Sequence, residues 1–152
     1  MFTRPLVAAC VAAVCLAAPA FAADAPHGRG PRAQALMDAQ TVESGTGRVQ
    51  ILNELCEVPS ALRRCTPITA TLRRALEQAI VRPISWVSHR HVDGPEFWVL
   101  APVEFHDGEA TSEYAWWDPL GCRGGISYRW ARRSGRWVTT TGIGWAACSA
   151  VG

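Results

Sequence analysis

The chain has 152 residues, and its 15 basic and 13 acidic residues leave a formal net charge of +2. Every basic residue is an arginine, and along the chain the arginines are interspersed with acids instead of forming a basic stripe. This pattern argues against a nucleic-acid-binding protein, and the length fits one domain with a single core.

The first 22 residues have the pattern of a secretory signal peptide. An early arginine precedes an apolar stretch at 6–18, and the small residues Ala20 and Ala22 predict cleavage after Ala22. The stretch is rich in alanine and shorter than the roughly 20 strongly apolar residues of a membrane-spanning helix. We therefore expect an exported protein, periplasmic or secreted, that has no membrane span after cleavage.

The chain after the signal peptide is predicted to begin with a leader and then form one domain. Residues 23–32 are polar and contain proline and glycine without periodicity, which predicts a flexible leader. The single domain is placed at 33–152. It opens with two patches of helical periodicity, at 33–43 and at 48–58.

The cysteines predict two disulfides. Cleavage of the signal peptide removes two of the six cysteines, and an even number in an oxidising compartment favours pairing. A loop at 134–136, around the Ser134-Gly135 turn, would place Cys122 directly opposite Cys148 on neighbouring strands. We predict the pairs Cys122–Cys148 and Cys56–Cys65.

The clearest predicted helix lies between the second patch and Pro83. Thr66 is placed as its N-cap and Pro67 at its first position, and the helix ends before Pro83. Its apolar residues form one stripe that we expect to pack on a sheet: Ile68, Leu72, Leu76, Ala79 and Ile80.

After Pro83 the apolar residues recur with a period of two, which predicts strands. They are placed at 84–92, 97–105 and 110–117, followed by a hairpin around Ser134-Gly135. The Asp107-Gly108 turn sets the register of the second and third strands. In that register one face holds Phe97, Val99, Tyr114 and Trp116, and Gly142 and Gly144 mark a bulge or a close backbone approach.

Helices before strands, joined by short turns, predict an α+β domain with an antiparallel meander of about five strands. The order of elements resembles that of cystatin-like and nuclear-transport-factor-like (NTF2-like) folds, in which a curved sheet wraps a helix. The resemblance rests on element order alone. Such folds serve inhibitors, enzymes and dimerisation modules, so it implies no single function.

Weak candidates for chemistry lie on the predicted strands. His89 and His91 share one side of a strand, as two metal ligands would, but the pattern favours exposed histidines at a strand end, and we predict no metal site. Glu104 and Glu113 lie near each other across the central hairpin. Either one, or His89, is a candidate general base in a pocket between helix and sheet. We predict no cofactor.

All seven tryptophans lie in the strand half, and we expect some of them at the surface beside arginines. The interpretation that the composition favours is a bulky core with arginines stacked on tryptophan faces, and a binding surface is the best functional addition to it. The predicted binding surface consists of Trp130, Arg132, Arg129 and Trp137.

The sequence thus favours a non-catalytic binding protein over an enzyme. Its expected partner is a protein in the envelope or the extracellular space, for which it would act as an inhibitor or an envelope accessory. The alternatives are a small hydrolase or isomerase, and a carbohydrate or cell-wall binder that uses exposed tryptophans.

Overall fold

The computed structural model describes residues 29–42, 47–88, 96–118 and 122–148. This part of the chain holds two helices packed on one eight-stranded sheet, so the predicted α+β fold is confirmed. The helices are α1 (Pro31–Val42) and α2 (Ala70–Ala79). The strands are β1 (Val49–Val58), β2 (Arg63–Pro67), β3 (Ile84–Val87), β4 (Phe97–Leu100), β5 (Glu104–Phe105), β6 (Glu109–Trp117), β7 (Cys122–Arg133) and β8 (Arg136–Cys148).

The sheet is mixed. Its strand order is β2-β1-β4-β6-β7-β8, with β3 also paired to β1 and β5 also paired to β6. The strands from β4 to β8 pair antiparallel, as the predicted meander requires, whereas β1 runs parallel to β3 and β4. The sheet is larger than the predicted five strands because two of its strands come from the chain before Pro83 and the predicted strand at 97–105 is divided into β4 and β5.

The predicted helix at 48–58 is wrong, because this segment forms strand β1. Ile51 packs with the cluster beneath the helices, while its neighbour Leu52 packs with the cluster on the opposite side of the sheet. A strand that is covered on both faces presents apolar residues at consecutive positions, which hides the period of two. Pairing with β2, β3 and β4 therefore overrides the helical pattern.

Helix α2 begins three residues later than predicted. Its N-cap is Thr69, whose side-chain oxygen accepts a hydrogen bond from the backbone N–H of Leu72 at 3.2 Å. Pro67 instead ends β2, where it lies opposite Glu54. The apolar stripe is as predicted, since four of its members are buried: Ile68, Leu72, Leu76 and Ile80.

The predicted strand at 97–105 is interrupted, and this changes which residues share a face. Around the Asp107-Gly108 turn the register is as predicted, with Glu104 opposite Thr111. Between β4 and β5 the pairing shifts by one residue, at the segment that contains Pro102, which has no backbone donor. Phe97 therefore lies opposite Trp117 and shares a face with it, whereas the predicted register placed Phe97 on the same face as Trp116. The shift by one residue puts every side chain of β4 on the face opposite to the predicted one.

The two disulfides are confirmed: Cys56 is joined to Cys65 and Cys122 to Cys148. Both join directly opposed strand residues. The turn between β7 and β8 has two residues, Ser134 and Gly135, because Arg133 lies opposite Arg136. A bulge in β8 at Thr140 then restores the predicted register before the chain reaches Cys148.

The sheet has two faces that differ in what covers them. The inner face carries α1 and α2, and even-numbered residues of β6 and β7, such as Tyr114 and Trp130, belong to its buried clusters. The outer face carries odd-numbered residues of the same strands. It is covered only in part, by the β1–β2 hairpin with its short turn Pro59–Ala61 and by a cluster around Phe97 and Val99.

Candidate functional site

An open groove lies on the outer face and has a volume of about 660 Å³. Its floor crosses β6, β7 and β8, whose outward side chains stand in two cross-strand rows. The first row is Thr111, Arg129 and Thr141, and the second is Glu113, Ser127 and Ile143. Because these residues come from three hydrogen-bonded strands, the backbone beneath the groove is held by the sheet.

The walls of the groove come from two other parts of the chain. Glu57, Val58 and Arg64 at the β1–β2 hairpin form one wall, and the Arg64 guanidinium donates to the Glu57 carboxylate at 3.1 Å. The Cys56–Cys65 disulfide fixes this hairpin directly beside that ion pair. The segment that includes Pro102 and Glu104 closes the groove on another side.

The groove brings together residues that were candidates for two different functions. Glu104 and Glu113, the weak candidates for a general base, both line it, and so does Arg129 from the predicted binding surface. The Glu104 carboxylate lies 4.0 Å from the His106 imidazole, and both side chains are exposed. These carboxylates do not lie between helix and sheet as predicted, because the α1 helix packs on the opposite face.

The predicted surface of Trp130, Arg132, Arg129 and Trp137 is divided between the two faces of the sheet. Trp130 is 1% exposed, and its indole N–H donates to the Ser112 hydroxyl at 2.8 Å, so it is a core residue. Arg132 lies opposite Trp137, and the Trp137 ring packs against Phe105 on the inner face at 5.7 Å. Of the four, Arg129 alone lines the groove, because neighbouring strand residues alternate between faces.

Three large apolar residues of the described chain are exposed in this region: Val58, at 40% exposure, ends β1 in the groove wall, and the other two lie on β8. Ile143 is 70% exposed and Trp145 is 44% exposed, and they occupy successive outward positions on the strand. The Trp145 ring covers Gly125, since a Cβ at that glycine would lie 2.6 Å from the indole nitrogen. Of the seven tryptophans, all of which lie in described segments, Trp145 is the exposed one. A flat platform of coplanar tryptophans is therefore absent from the described surface.

Strand β8 also forms an edge of the sheet. Among the described strands it pairs only with β7. From Trp137 to Cys148 it carries no charged residue and no proline, the features that usually block pairing at a sheet edge. Sequence analysis missed Ile143 and Trp145, although the neighbouring Gly142 and Gly144 had marked this stretch as unusual.

A second polar group lies buried on the inner face, between α1 and β6. Asp38 is fully buried, and its Oδ1 accepts a hydrogen bond from the Tyr114 hydroxyl at 3.0 Å, while Oδ2 has no partner among the described atoms. Burial raises the pKa of Asp38 to about 8, and the hydrogen bond from Tyr114 opposes that rise only in part. Burial, followed by the nearby Asp38 carboxyl, also raises the pKa of Tyr114.

The predicted metal ligands His89 and His91 lie outside the described residues, as does the candidate base His89. Within residues 29–42, 47–88, 96–118 and 122–148, no three histidine, cysteine or acidic side chains are grouped as metal ligands would be. Neither described helix is long and apolar enough to cross a membrane.

No protein-family model and no curated protein matches the sequence. Among solved structures, the chain is similar to an NTF2-like protein of unknown function from Shewanella baltica, with a TM-score of 0.36 and 12% identity. That comparison covers 76% of this chain and 93% of the other.

Proposed function

We propose that the protein is an exported, disulfide-stabilised, non-catalytic binding protein, and that it holds an extended segment of a protein partner on its outer face. The observation that carries this proposal is the position of Ile143. Its exposed side chain lines the groove next to Trp145, in a row with Ser127 and Glu113. An apolar side chain among polar groups in an open groove is typical of a contact site for a polypeptide.

Several features of the groove favour a polypeptide over a small substrate. The groove is an open surface across three strands, and carboxylates, arginines, hydroxyls and apolar side chains, among them Val58 and Ile143, all line it. An extended chain offers backbone amides to such polar groups and side chains to the apolar residues. Glu104 and Glu113 serve here as hydrogen-bond acceptors, since an open groove does not exclude the water that most enzyme sites expel.

Export is part of the same proposal. Two disulfides join the strands that form the groove wall and its floor, and disulfides persist in oxidising compartments outside the cytoplasm. The amino-terminal pattern of a signal peptide supports this location. The partner would therefore be a protein of the cell envelope or of the extracellular space.

The test is selection of linear peptides on the oxidised protein from a random library, followed by measurement of their Kd for single variants. We expect Ile143→Asp to weaken binding about tenfold or more, because a charge replaces the apolar contact. Val81→Asp is the matched control, since Val81 is 74% exposed and lies between α2 and β3, away from the groove. Failure to select any peptide, or equal binding by the Ile143→Asp variant, would contradict the proposed function.

A further inference from the structure

The two ends of the β8 edge differ in charge: the turn end carries arginines, and the rest of the strand is uncharged. At the turn end of the β7–β8 hairpin, Arg133 lies directly opposite Arg136, and both side chains are exposed. Neither arginine makes an ion pair with a described residue. Two like charges that face each other across a strand pair are destabilising, so this end of the hairpin is suited to a carboxylate.

The remainder of the β8 edge is uncharged and carries apolar side chains. Val138, Ile143 and Trp145 stand along the outer side of β8, and no charge occurs between them. The described edge also presents backbone groups that no described strand pairs with. An extended chain laid against this edge would gain main-chain hydrogen bonds along its length and apolar contacts at alternate side chains.

We propose that the partner segment adds to β8 as a further strand, antiparallel to it, and that it carries acidic residues at its C-terminal end. This inference rests on the proposed function and specifies its ligand: the segment lies along the β8 edge beside the groove, and its outward side chains contact Trp145 and the groove residue Ile143. The direction follows from β8, which runs from Arg136 at the turn end towards Cys148. An antiparallel neighbour therefore ends beside Arg133 and Arg136, and antiparallel pairing is the more stable geometry. Its apolar residues occupy alternate positions facing Val138, Ile143 and Trp145.

The probe for this inference is a short synthetic peptide in which valine alternates with threonine and the last residues are glutamates. A second peptide of the same composition carries the glutamates at its N-terminal end. We expect the first peptide to bind about tenfold more tightly at low salt, since its carboxylates meet the two arginines. The double variant Arg133→Ser/Arg136→Ser should remove this preference, whereas Arg74→Ser, an exposed arginine on α2, should leave it unchanged.

A third peptide separates strand addition from binding by side chains alone. It has the sequence of the first, but alternate backbone amides on the side towards β8 are N-methylated. We expect at least a tenfold loss of affinity, and the unmodified peptide should protect amides of β8 from hydrogen exchange. Equal binding of the methylated peptide, together with sensitivity to Ile143→Asp, would overturn strand addition and leave the proposed function standing.

The competing occupant of the edge is a second copy of the chain. Sedimentation of the oxidised protein without peptide decides between them, and we expect a monomer. A dimer whose β8 amides are protected from hydrogen exchange without peptide would show that β8 pairs with itself, and it would overturn the inference.

Discussion

At the scale of single residues, Asp38 has the clearest consequence for the stability of the protein. Its carboxyl is fully buried, and its pKa is raised from 3.8 to about 8 mainly by that burial. The folded protein therefore holds a proton on Asp38 at neutral pH, whereas the unfolded chain releases it. The contribution of this group to stability is complete below about pH 4, falls as the pH rises, and is lost above about pH 8.

The variant Asp38→Asn keeps the shape of the side chain and removes the titration. Between pH 4 and pH 9 we expect the free energy of unfolding of the natural protein to fall by on the order of 5 kcal/mol more than that of Asp38→Asn, because each unit of pKa difference corresponds to about 1.4 kcal/mol. Urea unfolding at several pH values measures the difference. Asp107→Asn is the control, because Asp107 is exposed and pairs only at the surface with Arg29. Parallel pH profiles for the natural protein and Asp38→Asn would contradict this assignment.

Residue-scale patterns predicted burial better than they predicted exposure. Even-numbered residues of β7 such as Trp130 face the inner side of the sheet, as strand alternation requires. The sequence did not show that the Trp130 indole N–H has a buried hydrogen-bond acceptor, the Ser112 hydroxyl. An indole with a satisfied N–H is as stable inside as a smaller apolar residue. For this reason tryptophan count alone could not separate core from surface. The exposed site was instead set by Ile143 and Trp145, whose edge position depends on the strand order.

At the scale of elements, the β7–β8 hairpin has the predicted pairing of Cys122 with Cys148, although its turn is one residue shorter than predicted. A three-residue loop was assumed, whereas the structure has a two-residue turn at Ser134 and Gly135 followed by a bulge at Thr140. Each change shifts the register by one residue, and the two shifts cancel before Cys148. Turn length follows from local chemistry, but a bulge depends on pairing with the neighbouring strand, which no local pattern contains.

The same dependence on neighbours explains the misassigned strand β1. Its apolar residues suit a helix face and a doubly covered strand equally well, and only pairing with β2, β3 and β4 distinguishes them. The Cys56–Cys65 disulfide was predicted, yet a bridge between nearby cysteines is compatible with several backbones. The α+β class, the α2 stripe and both disulfides were therefore predictable, whereas the parallel pairs and the outer-face groove were not.

The disulfide Cys122–Cys148 should contribute more stability than Cys56–Cys65, because it closes a longer loop. The two pairs are separated by 26 and 9 residues. On chain entropy, loss of the longer bridge costs roughly 3.5 kcal/mol and loss of the shorter one roughly 2.6 kcal/mol. The double variants Cys122→Ser/Cys148→Ser and Cys56→Ser/Cys65→Ser test this in urea. A larger loss for the second variant would show that packing at the β1–β2 hairpin outweighs loop closure.

At the scale of the whole molecule, the two faces of the sheet differ: the inner face forms the core, and the outer face carries the groove. Its inner face is closed by the helices, with apolar clusters and the buried Asp38 pair, and it supplies the core. Its outer face is closed only beside the β1–β2 hairpin, which leaves the groove and the β8 edge open. The Cys122–Cys148 disulfide joins β7 to the edge strand β8 in the open region, whereas Cys56 is buried in the apolar cluster of the closed region. The first link therefore stabilises the part of the sheet that packing supports least.

This arrangement makes the stability of the proposed site dependent on the compartment in which the chain folds. When the full sequence is expressed in a bacterium with a secretion system, we expect an exported product that begins at Ala23 and has no free thiol, because the signal peptide is removed and both bridges form outside the cytoplasm. Intact mass and thiol titration measure both properties. The double variant Ala20→Arg/Ala22→Arg should block cleavage, since the cleavage site needs small residues. A cytoplasmic product of natural sequence that keeps residues 1–22 and carries reduced cysteines would refute export.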